Sequence, residues 1–266
     1  MTEQEIKELR LSVSKTKCFN QCRKQFEFNY ILKLPKKDHD YHIFGKFCHK
    51  VLEDFHRAYI KYNSTNPYNI EMGKAFKDAL VEYKSGMSPE MKKECWAIID
   101  KYLKIITENK NNNLLVNLID VERNFSFNIG NNVILNGMID RIQIDDDNVV
   151  HVADYKTTKN KKYLKNDWFQ LLTYAYILVS EDPSIQKVRG SYVLLRHDFE
   201  YVTRDFTLSE IMETKDKYLE YASQIRAENE YPATPQILCR WCDYITSCPE
   251  GSKMLEPHKK YGEVEW

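Results

Sequence analysis

The chain shows no excess of charge of either sign: among its 266 residues, Lys and Arg total 39 and Asp and Glu total 39. A global electrostatic bias toward nucleic acid is therefore excluded, and any such footprint must be local. There is no apolar run approaching the roughly 18 residues of a membrane-spanning helix. The opening MTEQEIKELR has no apolar signal-peptide region. A cytoplasmic protein without a membrane segment is expected. Internal repeats are absent, as is any G-x-x-x-x-G-K-S/T pattern, so the chain is expected to carry no helicase motor of its own. What is present is a globular composition, 42% hydrophobic and 29% charged, at a length that can bury a real core.

The hydrophobic pattern is helical first, then strand-like, then helical again. Phe19, Cys22, Phe26 and Tyr30 recur at helical spacing within residues 12–34. Residues 43–61 form an amphipathic helix with Phe44, Phe47, Cys48, Val51, Leu52 and Phe55 on one stripe. Two more helices are expected over 73–85 and 89–109, the second opened by Ser88-Pro89. The period changes at residues 119–128, 132–144 and 149–155, which read as strands, the last two joined by the turn Asp145-Asp146-Asp147-Asn148. A helix over 166–180, strands over 188–195 and 199–206, and a helix from the Thr207-Leu208-Ser209-Glu210 capping box to about 228 complete the order. The expected fold is α/β in a single domain, 1–266: a mainly helical part (12–115), a sheet core (116–206), then a helix and cysteine-rich tail (207–252).

A tight hairpin brings Gly137-Met138-Ile139-Asp140 beside Asp154-Tyr155-Lys156. Residues two apart on a strand share a face, so Asp154 and Lys156 project together near Asp140. Two convergent carboxylates suit Mg²⁺ or Mn²⁺, and a neighbouring lysine can orient a metal-activated water and stabilise developing charge. A lone D-x-K is weak evidence, because solvated strand ends often carry both residues. Three further features add to it. His49 stands beside the 43–61 stripe as a possible third metal ligand. Gln170 and Tyr174, at i and i+4, share one helix face. Lys156, Lys159, Lys161, Lys162 and Lys165 form a basic run without an acid among them, either a solvated loop or a grip on phosphates.

Seven cysteines are present, and an intracellular chain does not need them as disulfides. Cys239-x-x-Cys242-x₅-Cys248 supplies three thiolates, one short of a closed site for zinc or an iron–sulfur cluster, and spacing alone does not separate the two. Cys48 and Cys95 lie on helix stripes and are assigned to packing.

The ordered set Gly45…His49, Gly137…Asp140, Asp154-Tyr155-Lys156 and Gln170…Tyr174 resembles the RecB-type branch of the PD-(D/E)XK nucleases, over about Ser12 to Cys248. Ser12-Val13-Ser14 and Cys22-Arg23-Lys24-Gln25-Phe26 are similar to that branch's N-terminal signature, with Arg23 where the family usually has proline. Glu122 falls where these proteins often carry an acid. The resemblance implies a restriction-endonuclease-like mixed sheet flanked by helices. It also implies Mg²⁺- or Mn²⁺-dependent cleavage of DNA, usually exonucleolytic, on single strands or ends. His49, Asp140, Asp154 and the Tyr155 carbonyl would be metal ligands, Lys156 the catalytic lysine, and Gln170 and Tyr174 the Q-x-x-x-Y motif. Iron–sulfur members, such as AddB and the CRISPR-associated adaptation nucleases, use one N-terminal and three C-terminal cysteines. That implies a [4Fe–4S] cluster on Cys22, Cys239, Cys242 and Cys248, with Cys18 as the fallback fourth ligand and zinc as the rival ion. The partners implied are DNA and a helicase, a recombination factor or a CRISPR adaptation protein. The rival functions are a noncatalytic nucleic-acid-binding module and an RNA-directed nuclease.

Overall fold

The computed structural model describes residues 7–62, 68–83, 86–108, 117–164 and 167–255; Lys165 lies outside them. Among the described residues the order is β1 (Leu9–Leu11), α1 (Val13–Gln21), α2 (Arg23–Phe26), α3 (Asp40–Tyr62), α4 (Tyr68–Glu82), α5 (Pro89–Glu108), β2 (Leu118–Gly130), β3 (Val133–Ile144), β4 (Val150–Lys156), α6 (Phe169–Glu181), β5 (Lys187–Leu194), β6 (Glu200–Thr207), α7 (Leu208–Ala227) and α8 (Pro249–Ser252). The chain folds as two compact units. The described parts of 1–37, 130–134 and 217–266 make the first, and those of 38–129 and 135–216 the second.

The second unit holds a mixed sheet in the order β3-β4-β5-β6, with β2 also paired to β3. β3 and β4 are antiparallel, Arg141 opposite Ala153 and Ile144 opposite Val150. Their turn closes with Asn148 N–H donating to Asp145 O (2.9 Å), Asn148 taking the left-handed φ of 59° that asparagine tolerates. β4 runs parallel to β5 because α6 makes the crossover between them, and β5 is antiparallel to β6.

β4 is buried at five consecutive positions, His151–Tyr155, as a strand covered on both faces must be. Ala153, Tyr155, Val193 and Leu195 pack into one core with the stripes of α3, α4 and α5. The stripe expected for residues 43–61 is that core: Phe44, Phe47, Cys48, Val51, Leu52 and Phe55 are all buried. Cys48 and Cys95 meet inside it, Sγ to Sγ 3.3 Å, as packing residues. Ser88 Oγ accepts from Met91 N–H at 3.2 Å and caps α5. α6 is buried from Leu171 to Val179 and carries Tyr174 and Tyr176 against Phe125 and Phe127 of β2. A Cβ on Gly137 would lie 2.4 Å from Phe125 Cζ, so the glycine of the G-x-x-D segment makes room for that ring.

In the first unit, Leu9 N–H donates to Asn132 O at 2.9 Å, and the Arg226 guanidinium donates to the carbonyls of Lys7, Asn131 and Asn132. Phe26 packs edge-on to Phe19 and stacks on Tyr231, with ring centroids 5.0 and 6.3 Å away. The single helix expected over 12–34 is interrupted. α1 ends at Gln21, Cys22 takes an extended backbone (φ −161°, ψ 114°), and the chain re-enters helix as α2 before a π turn over Glu27–Ile31. That step takes the Cys22 side chain out of the helical rank.

Candidate active site and cysteine site

Alternation along β4 places Asp154 and Lys156 on the side of the sheet that α6 covers, and Tyr155 on the side of α3 and α5. The two sides meet at the end of the strand through Tyr155's own backbone. Its N–H donates to Asp140 Oδ2 at 2.9 Å, and its carbonyl lies 3.0 Å from His49 Nε2. α3 reaches this strand end because Gly45, one turn before His49, leaves space: a Cβ there would sit 3.3 Å from Thr157 Oγ1.

His49 Nδ1 lies 3.5 Å from Asp140 Oδ2 and 3.6 Å from Glu122 Oε1. Each of these three residues offers a ligand atom, and those atoms all lie within 4.8 Å of one another. Glu122 gets there with a left-handed backbone, φ 47°, in the middle of β2. A non-glycine residue in that region is strained and is kept only where its surroundings enforce it, often at functional sites.

The α6 side completes the constellation. Gln170 Nε2 donates to Asp154 Oδ1 at 2.6 Å, and Lys156 Nζ donates to Gln170 Oε1 at 2.9 Å. Lys156 Nζ also forms an ion pair with Asp154 Oδ2 at 2.6 Å. Tyr174 OH is 2.8 Å from Gln170 Nε2 and 3.3 Å from Asp154 Oδ1.

The electrostatics are those of negative charge crowded away from water. Burial, and then the Asp154 carboxylate, push Asp140 up to about 8. Burial alone would lower His49, but the carboxylates of Asp140, Glu122 and Asp154 outweigh it and push the imidazole up to about 9. For Lys156 the same contest between burial and Asp154 ends in a raised value, so the ammonium persists. Tyr174 is held well above the ordinary phenol by burial and Asp154, and remains a hydroxyl donor. Buried acids without enough cations around them are the setting in which a divalent ion is favoured. His49 Nε2 and the Tyr155 carbonyl, 3.0 Å apart, have the ~3 Å spacing of adjacent ligands on a small octahedral cation. The donor set therefore fits such an ion.

Glu122 joins this group although the sequence marks it by position alone and gives it no place in the ligand set. Its signal is an acid beside Val121 in a strand whose inward positions are otherwise apolar. Among the basic run, Lys159, Lys161 and Lys162 are exposed beyond the end of β4, and Lys161 pairs with Glu200. A second polar series has the residue types of a hydrolytic triad: Asp145 Oδ1 lies 3.0 Å from His151 Nδ1, and His151 Nε2 lies 2.7 Å from Ser191 Oγ. Ser191 is fully buried, so no substrate carbonyl reaches its hydroxyl, and the series is structural.

In the first unit, Cys22, Cys239, Cys242 and Cys248 line one hollow together with Phe28, Ala233, Pro235 and Ile245. Three of the sulfurs accept backbone N–H groups: Cys22 from Thr234 (3.5 Å), Cys239 from Gln236 (3.4 Å) and Cys248 from Gly251 (3.4 Å). Such donors stabilise thiolate ligands. Cys18, one turn before Cys22, is instead engaged by Asn29 Nδ2 at 3.3 Å. Four thiols around one mostly apolar hollow suit a metal centre of the iron–sulfur or zinc type.

The chain is similar to several known proteins. One of the two subunits of an ATP-dependent helicase/deoxyribonuclease from Streptococcus pyogenes serotype M49 is 25% identical over 162 residues, covering 58% of this chain and 14% of that protein. The same protein from serotype M3 matches with the same identity and coverage. The chain thus spans about one seventh of the curated relatives it matches. A solved Eubacterium rectale protein, named as a candidate exonuclease, superposes with a TM-score of 0.53 at 11% identity, covering 99% of this chain and 96% of that one; this likeness concerns the fold. Residues 10–249 match the family model of the PD-(D/E)XK nuclease superfamily, and with the mixed sheet and the Asp140, Asp154 and Lys156 arrangement already described, the chain belongs to that superfamily.

Proposed function

We propose that this chain is a Mg²⁺- or Mn²⁺-dependent deoxyribonuclease that removes nucleotides from single-stranded DNA or DNA ends. The observation that supports it best is the convergence of His49, Glu122 and Asp140 beside Asp154 and an ammonium-bearing Lys156. His49, Asp140, Asp154 and the Tyr155 carbonyl would hold the cation, with Glu122 as a further oxygen donor. When bound, such an ion polarises the scissile phosphate and makes a coordinated water more acidic.

The remaining steps belong to side chains. Lys156 stays protonated and turns its charge toward the attacked phosphate, where negative charge grows as water adds. Gln170 fixes the Lys156 ammonium and the Asp154 carboxylate relative to each other. Tyr174 holds Gln170 and Asp154 from the helix side. Lys159, Lys161, Lys162 and Lys165 supply sequence-independent contacts to phosphates. Cys22, Cys239, Cys242 and Cys248 would carry a [4Fe–4S] cluster with a structural role. The name of the streptococcal relatives supports a helicase as working partner.

The test is cleavage of end-labelled linear and circular single-stranded DNA, and of RNA of the same sequence, with Mg²⁺ and with Mn²⁺. Wild type should degrade linear DNA, and Asp154→Ala should not. Wild-type protein that cleaves none of these substrates with either ion would sink the reading and leave a binding module in its place.

A further inference from the structure

Trp168 stands at the N-cap of α6, two residues before Gln170, and its side chain makes no capping hydrogen bond. Capping favours Ser, Thr, Asp or Asn, so an indole here breaks a local rule with no local gain. The nearest capping contact comes from Asp167, whose Oδ1 accepts from Phe169 N–H at 3.1 Å. The indole is instead held as a platform. It stacks on Tyr192 with ring centroids 5.6 Å apart and planes 19° from parallel, and meets Phe206 edge-on at 5.9 Å. Tyr192 is itself buried and anchored, its hydroxyl donating to Asp167 O at 2.6 Å. Trp168 remains partly exposed.

Its position relative to the reacting groups gives this platform a use. Lys156 Nζ lies 5.2 Å from the Tyr192 ring centroid, and Tyr192 is 5.6 Å from Trp168, so the indole is no more than about 11 Å from the ammonium. A nucleotide next to the scissile phosphate spans such a distance. Aromatic faces bind unpaired bases by stacking, with little sequence preference.

We propose that Trp168 stacks the nucleobase adjacent to the scissile phosphate, so that the site takes a strand whose terminal bases are unpaired. This rests on the nuclease reading above. A base within a duplex keeps both faces covered and gains nothing from the indole. Trp168 is thus a substrate-positioning residue that selects single-stranded nucleic acid, apart from any contact with phosphate.

The experiment compares wild type, Trp168→Ala and Trp168→Phe on three substrates: single-stranded DNA, the same strand carrying one abasic position stepped from the cleaved end, and bis(p-nitrophenyl) phosphate, a phosphodiester without a base. Trp168→Ala should raise KM for single-stranded DNA about tenfold, and Trp168→Phe should recover most of that loss. An abasic site at one register should slow wild type and leave Trp168→Ala unaffected. Hydrolysis of the base-free diester should be equal in all three proteins. Unchanged KM for DNA in Trp168→Ala, or an equal loss on the base-free diester, overturns the proposal. Wild type inactive on every substrate is instead the failure of the nuclease reading. In that case, single-strand binding in Ca²⁺ that is equal for wild type and Trp168→Ala overturns the proposal, and weaker binding by the variant supports it.

Discussion

Gln170 touches Asp154 and Lys156 at once: its amide donates to the Asp154 carboxylate at 2.6 Å while its carbonyl accepts from the Lys156 ammonium at 2.9 Å. This neutral side chain spans an ion pair and fixes the geometry of both charges without adding a third. Gln170→Ala should therefore lower kcat on single-stranded DNA by about 10- to 100-fold, the usual cost of losing a partner that orients a ligand. Gln170→Glu should be worse, because a carboxylate there repels Asp154. Steady-state kinetics of the two variants tests the order.

Cation binding should displace a proton. Asp140 is pushed up to about 8 and His49 to about 9, so without a cation the site retains protons that free side chains would lose. Both folded values exceed their unfolded ones. The folded state therefore binds more protons as pH climbs from the ordinary carboxylate range toward 9, and stability without metal should fall over that interval. Affinity for Mn²⁺ should rise from pH 7 to 9, with titration enthalpies that depend on the buffer's ionisation heat. Buffer-independent enthalpies would contradict this. Asp140→Asn should melt higher than wild type in EDTA and gain nothing from Mn²⁺.

The fourth thiol is expected to be Cys22. Cys22→Ser should reduce the iron content and visible colour of anaerobically purified protein, while Cys18→Ser, which removes only the contact to Asn29, should leave both nearly unchanged. Colourless wild-type protein with stoichiometric zinc would replace the iron–sulfur assignment with a zinc site.

The buried Asp145–His151–Ser191 series should matter for stability alone. Ser191→Ala leaves an imidazole nitrogen facing an apolar methyl and also removes a 2.7 Å contact to Thr203. A cost of about 1–3 kcal/mol is expected in urea unfolding, with cleavage rates unchanged once the protein is folded. A large loss of kcat at full folding would give the series a chemical role after all.

Much of this architecture is legible in the sequence, because the apolar stripe of α3 and the turn between β3 and β4 are local signals. The Ser88 cap and the Thr207–Glu210 box appear as read, the latter with Glu210 Oε2 accepting from Thr207 N–H at 3.1 Å. Less is legible where position depends on distant chain. β1 is three residues long and has no period of its own to detect. The break at Cys22 falls inside an unbroken helical pattern of apolar residues, which spacing alone reads as continuous helix. The left-handed turn at Glu122 leaves no mark in residue type, since glutamate does not favour that conformation. The division into two units is also hidden, because the first is gathered from stretches far apart along the chain.

That gathering bears on biosynthesis. Cys22 and the strand Leu9–Leu11 leave the ribosome early, whereas Cys239, Cys242 and Cys248 follow more than two hundred residues later. The second unit ends at Asp216 and has all of its segments before the last stretch of the first is translated. The early N-terminal segment must therefore wait, unsatisfied, while the sheet that holds Asp140 and Asp154 can already form. Chaperones, metal-loading factors and proteases would all meet the nascent protein in this half-built state.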